Sequence, residues 1–380
     1  MLKFFKHVVI AALVMGLVAG AGSVLAAELD AWLQSAELGE YQPVAEDWDA
    51  IAEAAQSEPP LTLYTDTSRA FPVVEQFNEL FDVEVEAINL RGSEIIERVR
   101  REWDAGLYNA GVVMMGSAAL VYDQLLSRNA VTRYVPREME AVIDPRSTDP
   151  LLVHRYSVGV WYYKNADNPG QPPYENIWEM TTDSWNNRVA MSSPLASGTT
   201  MEYFIGLVSN HEQMEAMYEE YFGEPIELTT ENAGFEFIKG LLENDVRLVT
   251  SFRDVADAVT RADDHFAGFG SQSAYRQVVT GEYDFELDTQ ITPAVLSPRL
   301  IGIGTYTESP NTAKLLIRYL TSQEGGDPWW GADFPANPMV EQTGAMADLN
   351  LESFDKLWDT PLDEQLYLRD QITDFFILYQ

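Results

Sequence analysis

The residues of this chain with the most chemical promise are serines, threonines, glycines and arginines gathered into short turns. Three such turns follow one another between Leu61 and Ser117: Asp66-Thr67-Ser68-Arg69, Arg91-Gly92-Ser93 and Gly116-Ser117. Two more lie further on, at Ser197-Gly198-Thr199 and at Ser271-Gln272-Ser273, the latter leading into Tyr275-Arg276. Hydroxyls and free backbone N–H groups donate hydrogen bonds, glycine lets a ligand approach the backbone, and a guanidinium fork matches carboxylate or phosphate oxygens. The chemistry expected of this set is capture of a small anion. Arg69, Arg91 and Arg276 would bring charge, Ser93, Ser117 and Thr199 hydroxyl donors, and Tyr275 a stacking or donor contact. Thr67, Ser68, Gly92, Gly116, Ser197, Gly198, Ser271 and Ser273 complete the expected binding set.

Other chemistries find little support. The four histidines, His7, His154, His211 and His265, are far apart and form no HExxH pattern. There is no GxSxG elbow and no Walker A sequence, and Gly268-Phe269-Gly270 lacks the third glycine of a dinucleotide-binding loop. The chain has no cysteine, which excludes disulfides, thiolate-held metals and a cysteine-linked lipid anchor. No catalytic residue, metal ligand or cofactor is assigned, and the chain is not expected to be an enzyme.

The elements that must position these turns follow from hydrophobic spacing. Strand-like runs Leu61 to Thr65, Val83 to Leu90 and Gly111 to Met115 each precede a turn, and each turn opens a run with helical spacing. The repeated unit is strand–turn–helix over a parallel sheet, in which ligands sit at the carboxyl ends of the strands, against helix N-termini. Val73, Val74, Phe77 and Phe81 mark the inner face of the first helix, with Pro72 in its first turn; Ile95, Ile96, Val99 and Trp103 mark that of the second, with Ser93 as N-cap. His154 to Lys164 reads as a strand crossing into a second lobe, and Ile291 to Thr305 as the return. Within that lobe Glu212 to Tyr221, Glu231 to Leu242 and Phe252 to Ala262 read as helices, and His265 to Phe269 as a strand. A helix from Ser309 to Thr321 is expected to end at Gly325-Gly326, Trp329-Trp330 to close the outside of a lobe, and the tail Leu351 to Leu378 to form helices on the first lobe.

Residues 1–26 carry Lys3, Lys6 and His7, an apolar run from Val8 to Val18, and small residues ending Val24-Leu25-Ala26. This is the pattern of a secretory signal peptide, whose apolar run is short of the roughly 20 residues that span a membrane. No later segment is long and apolar enough to span. Removing the leader takes Lys3 and Lys6, which moves the net charge from −36 to −38. With 60 acidic residues against 24 basic ones, of which only six are lysine, direct binding to nucleic acid or an anionic membrane surface is not expected. Such a surface fits a saline habitat, where dense counter-ions screen like charges. The length suggests two lobes.

The order of these motifs resembles the extracellular solute-binding proteins of bacterial ABC importers, nearest their ferric-iron-binding branch. The resemblance runs from Leu61 to Asp327. It rests on Leu-Thr-Leu-Tyr-Thr at 61–65, Arg91-Gly92-Ser93-Glu94, Tyr156 to Tyr162, Trp178 to Pro194 leading into Ser197-Gly198-Thr199, Ser309-Pro310-Asn311-Thr312-Ala313-Lys314 and Ser322-Gln323-Glu324-Gly325. What it implies is an α/β, two-lobed type II periplasmic binding protein, each lobe a mostly parallel sheet flanked by helices, joined by a two-crossing hinge that closes on a solute. Its expected divisions are the leader 1–26, an acidic helical extension 27–60, lobe one at 61–156 and 302–380, and lobe two at 157–301. It further implies a periplasmic monomer that passes a small-molecule solute to an inner-membrane ABC permease or to a sensor protein. Members that bind ferric iron commonly use two adjacent tyrosines after the strand near His265, where this chain has Tyr275-Arg276. A guanidinium there favours an organic, phosphorylated or phosphonate anion, with a ferric or other metal receptor as the alternative and a secreted enzyme or ligand sensor on the same fold as a further one.

Overall fold

Alternation along the strands splits the core into layers, and a computed structural model describes it for residues 26–344, 347, 349–360 and 362–379. Of the leader, residues 1–25 lie outside the described residues. Helix α1 (Trp48–Ala55) precedes β1 (Leu61–Thr65), α2 (Ala70–Phe81), β2 (Val85–Asn89), α3 (Gly92–Asp104), β3 (Val112–Met115) and the short α4 (Ala118–Leu120). In β1, Leu61 and Leu63 enter one core with Val73, Val74 and Phe77 of α2, while Tyr64 enters another with Ile95, Ile96 and Val99 of α3. Val112 and Met114 of β3 follow the first pair, and Val113 and Met115 the second. This is the period-two pattern of a strand buried on both faces.

Two long strands join the halves: β4 (Leu152–Lys164) and, after the second lobe, β8 (Ala294–Gly304). The second lobe holds β5 (Val189–Ser192), α5 (Gly198–Ser209), α6 (Ala233–Glu243), β6 (Arg247–Val249), α7 (Phe252–Thr260) and β7 (Phe266–Ser271). Beyond β8 come α8 (Pro310–Leu320), α9 (Gln323–Trp330) and α10 (Leu362–Tyr379). The sheet runs β2-β1-β3-β8-β4-β7-β5-β6. β1 pairs parallel with β2 and β3, and β5 with β6 and β7, while β8 is antiparallel to both β3 and β4, and β4 to β7. Each lobe is therefore a parallel sheet, and the antiparallel β4–β8 ribbon is the double crossing between them. Between Arg299 and Leu300 the register of that ribbon slips, leaving His154 as the extra residue.

Residues 26–35 are helical, and with α1 they pack on lobe one: Ala36, Leu38, Ile51 and Ala55 share a core with Leu315, Leu316 and Ile317 of α8. Glu58 accepts from the backbone N–H groups of Asn311 and Thr312 at 3.0 and 2.7 Å, a carboxylate set on the positive end of α8.

Four expectations need correction. Ser93 is not the N-cap of α3: Arg91 is, its N–H bonded to Glu94 at 3.1 Å, and Ser93 lies inside the first turn. Gly325 and Gly326 do not end a helix but sit in α9, where a Cβ on Gly326 would fall 1.9 Å from the Trp330 ring. Trp329 and Trp330 accordingly lie inside, fully buried in the core that α8 shares, with Gly326 making room for the Trp330 ring and Gly325 for the close approach of Tyr319. The tail does not rest chiefly on lobe one: Ile372 and Phe376 of α10 are buried with Phe204, Leu207 and Phe235 of lobe two. Its sequence shows no single apolar stripe, since Phe375-Phe376-Ile377-Leu378 are apolar in succession.

Candidate functional site

The carboxyl ends of β1 and β3 bring two of the lobe-one turns together. The Asp66 carboxylate accepts from the Gly116 N–H at 2.9 Å, tying the first turn to the third. Ser117 has φ 61°, a left-handed conformation uncommon outside glycine, and its side chain stands between the lobes. A Cβ on Gly198 would come within 2.8 Å of the Ser117 Oγ, so glycine there lets the start of α5 stand against Ser117 without displacing its hydroxyl. Thr67 accepts from the Arg69 N–H at 3.3 Å, and the Arg69 guanidinium turns inward to Asp333 at 3.1 Å. Ser68, Arg91 and Ser93 are exposed at the rim, and Gly92 is half-buried beneath them.

From lobe two, Ser197 caps α5 by accepting from the Thr200 N–H at 3.3 Å, which presents Gly198 and Thr199 at the helix N-terminus. Ser271 caps the 3-10 turn Gln272–Ala274, accepting from the Ser273 N–H at 3.3 Å. Arg276 is half-buried just beyond, its Nε bonded to the Ser273 carbonyl at 3.2 Å. Burial, then the neighbouring Arg69 charge, lowers its pKa, while Asp333 opposes the shift. Tyr275 is half-buried against the hydrophobic cluster to which Val255 and Val259 of α7 belong.

Several residues that complete the cleft did not emerge from the sequence: Asp66 as a partner, Arg155, Glu202, Gln272, Arg299 and Asp333. Asp333 is buried, and its two oxygens take four bonds. Arg69 and Arg155 reach one oxygen at 3.1 and 3.2 Å, and Ser157 and Gln272 the other at 2.7 and 3.2 Å. Burial raises its pKa, but the charges of Arg155 and Arg69 outweigh that and hold the carboxyl below its ordinary value. Gln272 accepts in turn from the Val158 N–H at 2.7 Å. One carboxylate thus joins a lobe-one turn, the crossing strand and a lobe-two turn.

Arg299, on the returning strand, donates to the Thr199 hydroxyl at 3.0 Å and lies 3.6 Å from Asp66, while its buried Nε has no protein partner among the described residues. A Cβ on Gly116 would strike its guanidinium at 1.9 Å, so glycine makes the room it occupies. Glu202, deep in α5, meets Ser297 through its hydroxyl; burial raises its pKa against the opposing pull of Arg299 and Ser297. A charge inside an apolar strand signals a partner, and Arg155 in Leu-Val-His-Arg-Tyr and Arg299 in Leu-Ser-Pro-Arg-Leu-Ile carry that signal.

Among the described residues no three or more His, Cys, Asp or Glu side chains are grouped to hold a metal ion. Tyr162 and Tyr163 enter different cores on opposite faces of β4, so they cannot converge on one ligand. The Tyr162 hydroxyl is spent on the Ser271 carbonyl.

No protein-family model and no curated protein matches this sequence. Solved structures do resemble the fold. Iron-bound HitA from Pseudomonas aeruginosa superposes with a TM-score of 0.63 at 16% identity over 82% of this chain and 99% of its own. The substrate-binding protein of an ABC transporter from Agrobacterium tumefaciens gives 0.63 at 16% identity over 84% and 94%. A Trichodesmium protein (IdiA, FutA) in complex with iron and citrate gives 0.62 at 14% over 84% and 99%. The chain has the two-lobed type II fold of periplasmic binding proteins.

Proposed function

We propose that this chain is a secreted receptor that captures a small anionic solute, phosphorylated, phosphonate or carboxylate, between its lobes and hands it to an ABC permease. One observation carries the reading. In a chain with 60 acidic residues and 24 basic ones, the junction between the lobes gathers Arg69, Arg155, Arg276 and Arg299 around three carboxylates among the described residues, the paired Asp66 and Asp333 and the buried Glu202. An anion there would bond to groups from both lobes and so favour the closed arrangement over an open one. The mechanism is a binding cycle with no bond chemistry.

The test is calorimetry and thermal shift of the mature chain against phosphate, alkylphosphonates, carboxylates, phosphorylated sugars and ferric citrate. A ligand at about a hundred times its Kd adds roughly 2.7 kcal/mol, enough to raise Tm by degrees. A shift confined to one anion class supports the reading; a shift with ferric ion alone overturns it. Ferric capture is the second reading, favoured by the iron-bound neighbours and by Tyr275 on the segment after β7. It predicts a charge-transfer absorption on iron addition that Tyr275→Phe abolishes.

A further inference from the structure

The four arginines are linked neighbour to neighbour, and the series is not uniform. Its middle is Arg155, 5% exposed and bonded to Asp333, to the Nδ1 of His154 at 2.9 Å and to little else that a solute could displace. Asp333 also accepts from Arg69, so the bonded nitrogens of Arg69 and Arg155, which share one oxygen, stand within about 6 Å of each other. Arg276 lies past them, next to Arg69, and forms no ion pair among the described residues; its one bond is to a backbone carbonyl. On the other side Arg299 is the direct register partner of Arg155 on the adjacent strand. It is only loosely paired with Asp66 at 3.6 Å, and its Nε is unpartnered among the described residues.

Among the described residues, the half-buried Arg276 without an ion pair thus stands at one end and Arg299 with its unpartnered Nε, near Asp66 and Glu202, at the other, with the neutralised Arg155–Asp333 pair between. Both ends draw on both lobes. Arg69 of lobe one and Arg276 with Ser273 of lobe two make one. Ser117 of lobe one, Gly198 and Thr199 of lobe two, and Arg299 of the crossing strand make the other.

Resting on the anion-receptor reading, we infer that the solute carries two anionic groups, one seated at Arg276 and Arg69 and the other at Arg299, Ser117 and Thr199, with its neutral body over the Arg155–Asp333 pair. A single anion would hold the lobes at one point and leave them free to twist; two hold the closed arrangement at two points. The spacing of the ends also selects for length.

The experiment compares phosphonoacetate and its longer ω-carboxyl homologues with methylphosphonate and the matching alkylphosphonates, by calorimetry, on wild type and on Arg276→Met, Arg299→Met and Arg276→Lys. At least one two-headed ligand is expected to bind about tenfold or more tighter than its one-headed match, the scale of one added charge-assisted contact. Each Met variant should bring that ratio down towards one, and Arg276→Lys, which keeps the charge, should retain part of it. Ligand-free melting curves separate loss of a contact from loss of fold. Equal affinity for the one-headed and two-headed series in wild type overturns the two-ended ligand and leaves the anion receptor standing. Binding of neither series, with uptake of ferric ion alone, overturns both.

Discussion

At the scale of single residues, Arg91 opens a turn while Arg299 lies inside β8, and the two arginines stand in different surroundings. Arg91 is exposed at the N-cap of α3, where its backbone is engaged, the N–H by the Glu94 carboxylate and the carbonyl by the Glu94 and Ile95 N–H groups. If it guides an anion into the cleft, Arg91→Ala weakens ligand binding several-fold while the ligand-free Tm stays within about 2 °C, since exposed substitutions cost about 0.5 kcal/mol or less. A ligand-free Tm that drops further would make Arg91 structural. The turn residues could be read from sequence because a Ser or Gly between an apolar run and a helical run has few uses other than a helix start. The partners of Arg155, Arg299 and Asp333 could not: the apolar strands around the two arginines signal that each has a partner, but the three residues are far apart in the chain and meet only when the fold sets Arg155 beside Arg299 and Asp333 against Arg155. Their role exists only once the two crossing strands are side by side.

Among the elements, the strand–turn–helix units of lobe one and both crossings match the spacing that predicts them, because each strand is bounded by turn residues and each helix has one apolar stripe. Helix α10 is expected from the sequence but its lobe is not, because its apolar residues point several ways and the choice of lobe is made by the shape of α5 and α6, which no linear pattern reveals. Phe376 is fully buried there, packed near Phe204 with ring centroids 6.2 Å apart. Phe376→Ala should destabilise the ligand-free protein by about 3–5 kcal/mol, the usual range for a buried aromatic. Urea unfolding followed by tryptophan fluorescence measures it. A cost under about 1 kcal/mol would mean that α10 is a surface attachment and not part of the lobe-two core.

For the molecule as a whole, charge is the property that the sequence makes plainest. At −36 over 380 residues, self-repulsion opposes compactness and falls as ions screen it, the Debye length shrinking from about 10 Å at 0.1 M to about 3 Å at 1 M. The Tm of the ligand-free protein should rise by several degrees over that range of sodium chloride; a flat or falling curve would show that the carboxylates are already compensated. Two lobes follow from length, whereas their joint is legible in the sequence only as two apolar strands, without the slip in their pairing. That slip lies at Arg299, and an irregularity of this kind strengthens the local twist of a ribbon. If Arg299 takes the proposed anion, the residue that reaches for the cargo is seated on the fulcrum itself. A pull on its side chain would then be a torque on the axle joining the two halves, and arrival of the cargo would need no relay to be felt by the joint.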